Sequence, residues 1–135
     1  DDPEGQSVAL VGVGNLGRAI LAYFSGRRRN LRITASFDID PLKTGRVING
    51  CRCYSMSELG DVLERGRIKT AILAVPAGKA QETTDALVAA GVRGILNYAP
   101  VPLRVPDGVF LEERDMTMSL ETVAFFARKT ALEKK

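Results

Sequence analysis

The sequence predicts a single α/β domain with a doubly wound, mostly parallel sheet. Short apolar runs alternate along the chain with stretches of helical periodicity, and glycine or proline follows most of the runs. Aliphatic residues dominate the apolar fraction, aromatic residues make up only 6% of the chain, and tryptophan is absent. This composition suits a sheet covered by helices better than a β-sandwich. At 135 residues, the chain is long enough to bury the core of one domain.

The first half of the chain is predicted to alternate between strands and helices. An apolar run that ends in glycine indicates a buried strand, and apolar residues at helical spacing indicate the helix that follows. Ser57 is expected to cap a later helix, and Gly66 is expected to end it. In order, we expect a strand at residues 8–13, a helix at 16–24, a strand at 33–37, a short strand at 52–54, and the helix that Ser57 caps.

The second half begins with the most uniform apolar run of the chain, residues 70–75, which Pro76 ends. We expect a helix at residues 79–90 that stops at Gly91, then a strand at 94–98. Three prolines argue against regular structure in the following loop. A last strand at residues 109–112 and a helix from about 116 to 129 complete the prediction, and the strand–helix alternation favours a parallel sheet.

A glycine motif lies where the first predicted strand meets its helix. Gly12, Gly14 and Gly17 fit the pattern G-x-G-x-x-G, with Asn15 and Leu16 between the last two. In a Rossmann fold the first glycine allows a tight turn, the second lets a pyrophosphate approach the backbone, and the third lets helix and strand pack closely. The helix N-terminus then faces the anion with free N–H groups. The motif predicts a dinucleotide site, and a tight turn without a ligand is the alternative.

An acidic residue completes the predicted dinucleotide site. Asp38 follows the second strand, 21 positions after Gly17, where a carboxylate can bind the adenosine ribose hydroxyls. Its charge would repel the 2′-phosphate of NADP, which predicts NAD as the cofactor. Asp40 is the competing candidate, and its alternative role is that of a turn residue beside Pro41.

Two later strand ends are predicted to complete the cofactor site, because ligands of such sheets lie outside the carboxyl ends of the strands. Small residues and a proline end one strand, so a flat ring could approach the backbone there. Asn97 offers a donor and an acceptor to a carboxamide or a ribose, and Tyr98 could stack near the ring or fill the core. The predicted contacts at these ends are Ala74, Val75, Pro76, Asn97 and Tyr98.

Residues that could catalyse a reaction or bind a metal are not evident. A dehydrogenase needs a positioned acid or base, yet the chain has no histidine and Tyr98 has no lysine one helical turn later. The absence of histidine also excludes a Cys/His zinc site. We expect Cys51 and Cys53 to point to opposite faces of a strand and to serve as packing residues. The sequence thus predicts a binding module, with no catalytic residue and no metal.

The last predicted helix has a broad apolar surface. Met116, Leu120, Val123 and Ala127 form one stripe, which Phe125 and Phe126 widen beyond that of an ordinary surface helix. Such width on a terminal helix favours burial against a partner subunit. Packing on the domain's own sheet is the alternative.

Four segments resemble Rex, the redox-sensing transcriptional repressors of bacteria: VALVGVGNLGRA at residues 8–19, FDIDP at 37–41, AVP at 74–76 and NYAP at 97–100. The similarity runs from about residue 7 to residue 127. It implies a homodimer that binds NADH or NAD⁺ and thereby controls an N-terminal winged-helix DNA reader. It also implies that the last helix swaps across the dimer, near the partner's nicotinamide, with Asp115 and Met116 at the swap position. Met116 departs from an aromatic residue found in some members, and Tyr98 replaces a frequent phenylalanine.

The resemblance implies a domain plan for the chain. We expect a disordered leader at residues 1–6, a Rossmann NAD(H)-binding domain at 7–114 and a dimerisation helix at 115–135. A winged helix is absent before residue 7, so DNA binding is expected only through a domain outside this sequence. The start carries neither the basic nor the apolar region of a signal peptide, and no apolar run reaches the length of a membrane span. We therefore expect a cytoplasmic protein.

Two other functions fit the glycine motif. The chain could be a truncated NAD-dependent dehydrogenase that lacks its substrate domain, although a catalytic acid or base is missing. It could also be a CoA-binding domain of the succinyl-CoA ligase type, in which a similar loop holds a pyrophosphate. Asp38 argues against CoA, because it suits a free ribose diol and would face the 3′-phosphate of CoA.

Overall fold

The computed structural model describes residues 5–26 and 30–133. Most of the predicted leader therefore lies outside the described residues. The described strands are β1 (Gln6–Val11), β2 (Leu31–Asp38), β3 (Val47–Ile48), β4 (Cys51–Ser55), β5 (Thr70–Leu73), β6 (Gly94–Asn97) and β7 (Phe110–Glu113). The helices are α1 (Asn15–Phe24), α2 (Leu59–Gly66), α3 (Ala77–Ala89) and α4 (Met116–Glu133), and a 3₁₀ turn at Met56–Glu58 precedes α2.

The seven strands form one sheet in the order β3-β4-β2-β1-β5-β6-β7. All pairings are parallel except that of β3 with β4. The chain winds outward from β1 to β2 and β4, and then from β5 to β6 and β7, so the winding direction reverses between β1 and β5. The predicted doubly wound Rossmann fold is confirmed, and the reversal marks where ligands bind in such sheets.

Two apolar clusters cover the sheet. The larger cluster includes Val62 and Leu63 of α2 and Leu87 of α3. The smaller cluster includes Leu21 of α1 and Leu10 of β1. Helices thus cover both faces, which explains why β1 and β5 consist of almost continuous apolar residues.

The structure differs from the predicted elements in several places. A two-residue antiparallel strand at the sheet edge, β3, was not predicted. Ser55, and not Ser57, begins the 3₁₀ turn with a capping box whose partner is Glu58. Gly66 is the last residue of α2, and Arg67 ends the helix in the left-handed conformation with φ 53°. The helix thus ends at Gly66, as predicted, but Arg67 and not the glycine adopts the left-handed conformation.

The structure also corrects the predicted orientation of the two cysteines. Cys51 and Cys53 are both buried and alternate with exposed Arg52 on β4. The prediction of opposite faces was wrong, because residues two apart in a strand share a face. Both thiols are free. Burial raises the pKa of each thiol, and a hydrogen bond with Ser36 partly offsets that increase. Both cysteines therefore behave as packing residues.

The final helix, α4, has no buried residue within the single chain. It runs to Glu133, four residues beyond the predicted end. Packing on the domain's own sheet, the alternative considered for this helix, is not what the structure shows. Within the described residues no helix combines the length and apolarity needed to cross a membrane.

Candidate dinucleotide site

A cleft with a volume of about 570 Å³ lies at the carboxyl edge of the sheet, over the point where the winding reverses. This volume is within the range of small-molecule sites. Its walls are largely apolar and carry a few charged side chains. The lining residues are Val11, Gly12, Gly14, Leu16, Asp38, Ile39, Lys43, Met56, Ala74, Val75, Pro76, Lys79, Glu82, Thr83, Ala86, Tyr98 and Pro100.

Two glycines of the motif allow close backbone packing at the floor of the cleft. Gly12 has φ +102°, and a Cβ there would lie 2.3 Å from the carbonyl oxygen of Ala74. Gly17 is buried in the first turn of α1, where a Cβ would lie 1.9 Å from the carbonyl oxygen of Gly12. Only glycine therefore lets α1 begin this close to the end of β1. Gly17 acts through this packing, and it does not line the cleft.

Gly14 has a different role, because space is open around it. It precedes α1, lines the cleft, and has no atom within 4 Å of where a Cβ would stand. No side chain of the described residues caps α1, so the first amides of the helix remain available at the cleft. The missing side chain and the helix N-terminus together form a cradle that fits a phosphate group. Leu16 lines the cleft beside it, whereas Asn15 does not.

Asp38 stands at the β2 end of the cleft, and backbone amides fix its carboxylate. The amide of Val13 donates to Oδ2 at 2.7 Å, and the amide of Asp40 donates to Oδ1 at 2.9 Å. An ionised carboxylate offers about four acceptor positions. Two of these positions remain for a ligand, and they are held at a defined orientation next to the glycine loop.

Asp40, the competing acid, does not line the cleft. Its Oδ1 accepts a hydrogen bond from the amide of Leu42 at 2.9 Å in an exposed turn. This is the turn role that the sequence analysis gave as its alternative. The structure thus brings only one of the two predicted acids into the site.

The other wall of the cleft contains Ala74, Val75, Pro76 and Tyr98, as predicted. Asn97 needs a correction, because its side chain is buried at 1% exposure and its amide is already paired. Nδ2 donates to the carbonyl of Val101 at 2.9 Å, and Oδ1 accepts from the amide of Ala99 at 2.8 Å. The predicted hydrogen bonds from Asn97 to a cofactor are therefore not available. The side chain shapes the loop that carries Tyr98.

Several lining residues were missed by the sequence analysis. Ile39 is 69% exposed and extends the apolar wall beside Asp38. Its position directly after Asp38 could have predicted this place in the cleft from the sequence. The remaining missed residues could not be predicted from one sequence, since they come from the loop after β2, the 3₁₀ turn, helix α3 and the loop after β6: Lys43, Met56, Lys79, Glu82, Thr83, Ala86 and Pro100.

The residues predicted to contact a partner at α4 lie outside the cleft of their own chain. Asp115 begins the helix, because its Oδ1 accepts from the amide of Met118 at 2.9 Å. The large apolar residues of α4 are all more than half exposed. They include the predicted contacts Met116, Leu120, Val123 and Phe126, together with Phe125.

The fold and the site define a Rossmann domain with an open, largely apolar cleft at the carboxyl edge of its sheet. The chain belongs to the CoA binding domain family, whose model matches residues 4–101. Within that class, the predicted resemblance to the redox-sensing transcriptional repressor Rex is confirmed. The Rex of Leuconostoc citreum (strain KM20) is 45% identical over 120 residues, which cover 89% of this chain and 56% of the relative. That of Roseiflexus sp. (strain RS-1) is 45% identical over 119 residues, 88% of this chain and 54% of the relative.

Solved structures show the same likeness. The crystal structure of RSP in complex with β-NAD⁺ and operator DNA is 35% identical, has a TM-score of 0.87, and covers 96% of this chain and 60% of RSP. RSP in complex with β-NADH gives a TM-score of 0.86 at 35% identity, with 96% of this chain and 63% of RSP covered. RSP is described as a Rex-family repressor. The relatives are regulators rather than enzymes, and this chain spans little more than half of their length.

Proposed function

We propose that this chain binds NAD(H) and is the cofactor-sensing domain of a redox-responsive transcriptional repressor. The observation that carries the proposal is the pairing of an open phosphate cradle at Gly14 with the fixed carboxylate of Asp38 in one cleft. The relatives support it, because RSP binds β-NAD⁺, β-NADH and operator DNA in its solved structures.

The strand order supports one direction for the dinucleotide along the cleft. Asp38 ends β2 and Tyr98 follows β6, so they stand on opposite sides of the glycine loop after β1. With the pyrophosphate at Gly14, the adenosine ribose reaches Asp38 and the adenine lies against Ile39 and Met56. The nicotinamide, which supplies the redox-dependent charge, then lies toward Tyr98 and the two prolines of that wall. In this arrangement Asp38 is the adenosine-side residue and Tyr98 the nicotinamide-side residue.

CoA is the second candidate, favoured by the name of the matching family. The geometry at Asp38 opposes it. The two free acceptor positions of the carboxylate suit a ribose diol, whereas a 3′-phosphate would bring negative charge to within a few ångströms of the acid. Two unit charges about 4 Å apart repel by roughly 1–4 kcal/mol, depending on the dielectric. We therefore propose NAD(H) as the ligand.

The proposed sensing step depends on the charge of the nicotinamide. NAD⁺ carries a positive charge on this ring and NADH does not, so the neutral ring is more easily buried against apolar groups. A ligand shifts a conformational equilibrium only if it binds the two states differently. We propose that NADH favours one arrangement of a homodimer formed through α4, and that this controls DNA binding by a winged-helix domain outside this sequence.

The extent and location of the functional unit are also proposals. The Rossmann domain would span residues 7–114 and the dimerisation helix 115–135, of which residues 134 and 135 lie outside the described part. A repressor that reads operator DNA would act in the bacterial cytoplasm.

Fluorescence titration with NADH tests the proposed ligand. Gly14→Val would fill the phosphate cradle, because the space around its Cβ is open and belongs to the cleft. Gly60→Val is the matched control, since Gly60 is also exposed with open space around its Cβ but lies on α2, away from the cleft. We expect the wild type and Gly60→Val to bind NADH, and Gly14→Val to lose at least about tenfold in affinity, or 1.4 kcal/mol.

Competition distinguishes the two candidate ligands. Excess CoA should leave NADH bound if the proposal is right. Displacement of NADH by CoA at equal concentration would favour the CoA-binding alternative, and the absence of any NADH binding to the folded wild type would overturn the proposed function.

A further inference from the structure

One pair of side chains joins the Tyr98 wall of the cleft to the last strand. Asn97 is the final residue of β6, and its Nδ2 donates to Glu113 Oε2 at 3.2 Å. The same oxygen accepts from the amide of Leu103 at 3.3 Å. The loop from Tyr98 to Leu103 is therefore held at both ends by this pair, which we call the Asn97–Glu113 pair.

The side-chain amide of Asn97 also fixes the path of the backbone within this loop. Its other bonds reach the carbonyl of Val101 and the amide of Ala99. Asn97 is almost fully buried, and an unpaired buried group is destabilising. Its side chain therefore favours the loop arrangement that keeps these partners, although Glu113 itself is exposed on β7. If Tyr98 and Pro100 at the cleft wall are displaced, the rest of the loop and the Asn97–Glu113 pair must therefore move with them.

The loop also has an anchor on its other side. Gln81 of α3 accepts from the amide of Arg104 at 2.9 Å and donates to the carbonyl of Arg104 at 2.9 Å. This two-way contact restrains the loop beyond Leu103 against α3.

Glu113 stands directly before the exposed helix. The amide of Arg114 donates to the carbonyl of Asn97 at 2.8 Å. Asp115 then caps α4 through the amide of Met118, and the carbonyl of Asp115 accepts from the amide of Ser119 at 3.0 Å. Only two residues separate Glu113 from Met116, the first residue of α4. The cleft wall and the start of α4 therefore share one hydrogen-bonded unit.

We propose that the Asn97–Glu113 pair couples occupancy of the Tyr98 end of the cleft to the start of α4, with Glu113 as a positioning residue. The inference rests on the proposed function, since it takes NADH as the ligand and α4 as the responding element. A ligand that contacts Tyr98 or Pro100 shifts the loop, and the pair transmits that shift to residues 114–119. Coupling of this kind requires a connected element that both sites bias, and the hydrogen bonds at Asn97 and Glu113 supply the connection.

Hydrogen exchange of the amides of residues 114–119, with and without saturating NADH, tests the coupling at a fixed protein concentration. In the wild type we expect NADH to change the exchange rates by about fivefold or more, the lower end of typical coupling. Glu113→Ala should bring the change below about twofold, while direct fluorescence titration still shows NADH bound. Glu113→Gln keeps an acceptor oxygen for Asn97 and Leu103, so it should restore the response.

Glu112→Ala is the matched control. Glu112 neighbours Glu113 on β7, but its ion pair among the described residues is with exposed Arg114, at 2.7 Å, and does not involve Asn97 or Leu103. Its removal should therefore leave the response unchanged. A wild type that binds NADH without any change at residues 114–119 would overturn the coupling and leave the proposed function intact. A full response in Glu113→Ala would also overturn it. If the wild type does not bind NADH, the proposed function itself is overturned.

Discussion

Replacing Asp38 by asparagine should weaken the preference for NADH over NADPH. The change removes one negative charge and keeps the size of the side chain. In the proposed pose the carboxylate lies beside the ribose, about 4 Å from where the 2′-phosphate of NADPH would stand. Repulsion at that distance is about 1 kcal/mol in water and about 4 kcal/mol in a partly buried site. Because Asp38 is half-buried, we expect the preference to fall by about tenfold to a hundredfold, or roughly 1.4–2.8 kcal/mol.

The hydrogen bonds of Asp38 also predict how the affinities for NADH and for NADPH should each change. In Asp38→Asn the new side chain can still accept from one of the two loop amides, but its NH₂ group faces the other. The affinity for NADH should therefore fall, since a hydrogen bond to a charged group contributes about 1.5–3 kcal/mol. The affinity for NADPH should stay the same or rise, because the repulsion has gone. Fluorescence titration with both reduced cofactors, at low and high salt, measures the four affinities.

Asp40→Asn is the control for net charge. Its carboxylate lies in the exposed turn with Leu42 and outside the cleft, so the preference should stay within about twofold of the wild type, as screening at an exposed site allows. A preference in Asp38→Asn equal to that of the wild type would refute the reasoning. So would an equal loss in Asp40→Asn, because the effect would then come from net charge alone.

Two further predictions concern packing. Gly17→Ala should destabilise the fold by about 1–3 kcal/mol or more through overpacking, because its Cβ would lie 1.9 Å from the carbonyl oxygen of Gly12. Denaturant unfolding measures this, and an unchanged midpoint would contradict the close helix–strand contact. Phe126→Asp should weaken the proposed dimer by about a hundredfold or more, since each buried phenylalanine contributes roughly 1.5–3 kcal/mol and a dimer has two. Sedimentation at several concentrations would show this, whereas an unchanged dimer would place the interface elsewhere.

At Asn97 the structure differs from what the sequence predicts. The sequence places a side-chain amide at the end of a strand, where cofactors bind in such sheets, and therefore predicts a ligand contact. The structure shows that Glu113, 16 residues away, and the loop carbonyl of Val101 already occupy that amide. A residue's free hydrogen-bonding capacity depends on partners brought together by the fold, and spacing along the chain does not reveal them.

Asp38 shows the opposite case. Its place after the second strand indicated its role, and the structure adds the two amides that orient it. The limit seen at Asn97 applies again to the lining of the cleft, where Met56 and Ala86 come from distant segments, the 3₁₀ turn after β4 and helix α3.

Sequence patterns were sufficient to predict the alternation of strands and helices, the parallel sheet, the glycine loop and its acid. These follow from local rules, namely periodicity, backbone freedom at glycine and the fixed geometry of a strand–turn–helix unit. The assembled fold was needed to show which polar groups remain free for a ligand, that α4 is exposed within the single chain, and that Asn97 and Glu113 connect the cleft wall to the start of that helix. Those properties depend on contacts between distant residues, which form only when the whole sheet is assembled.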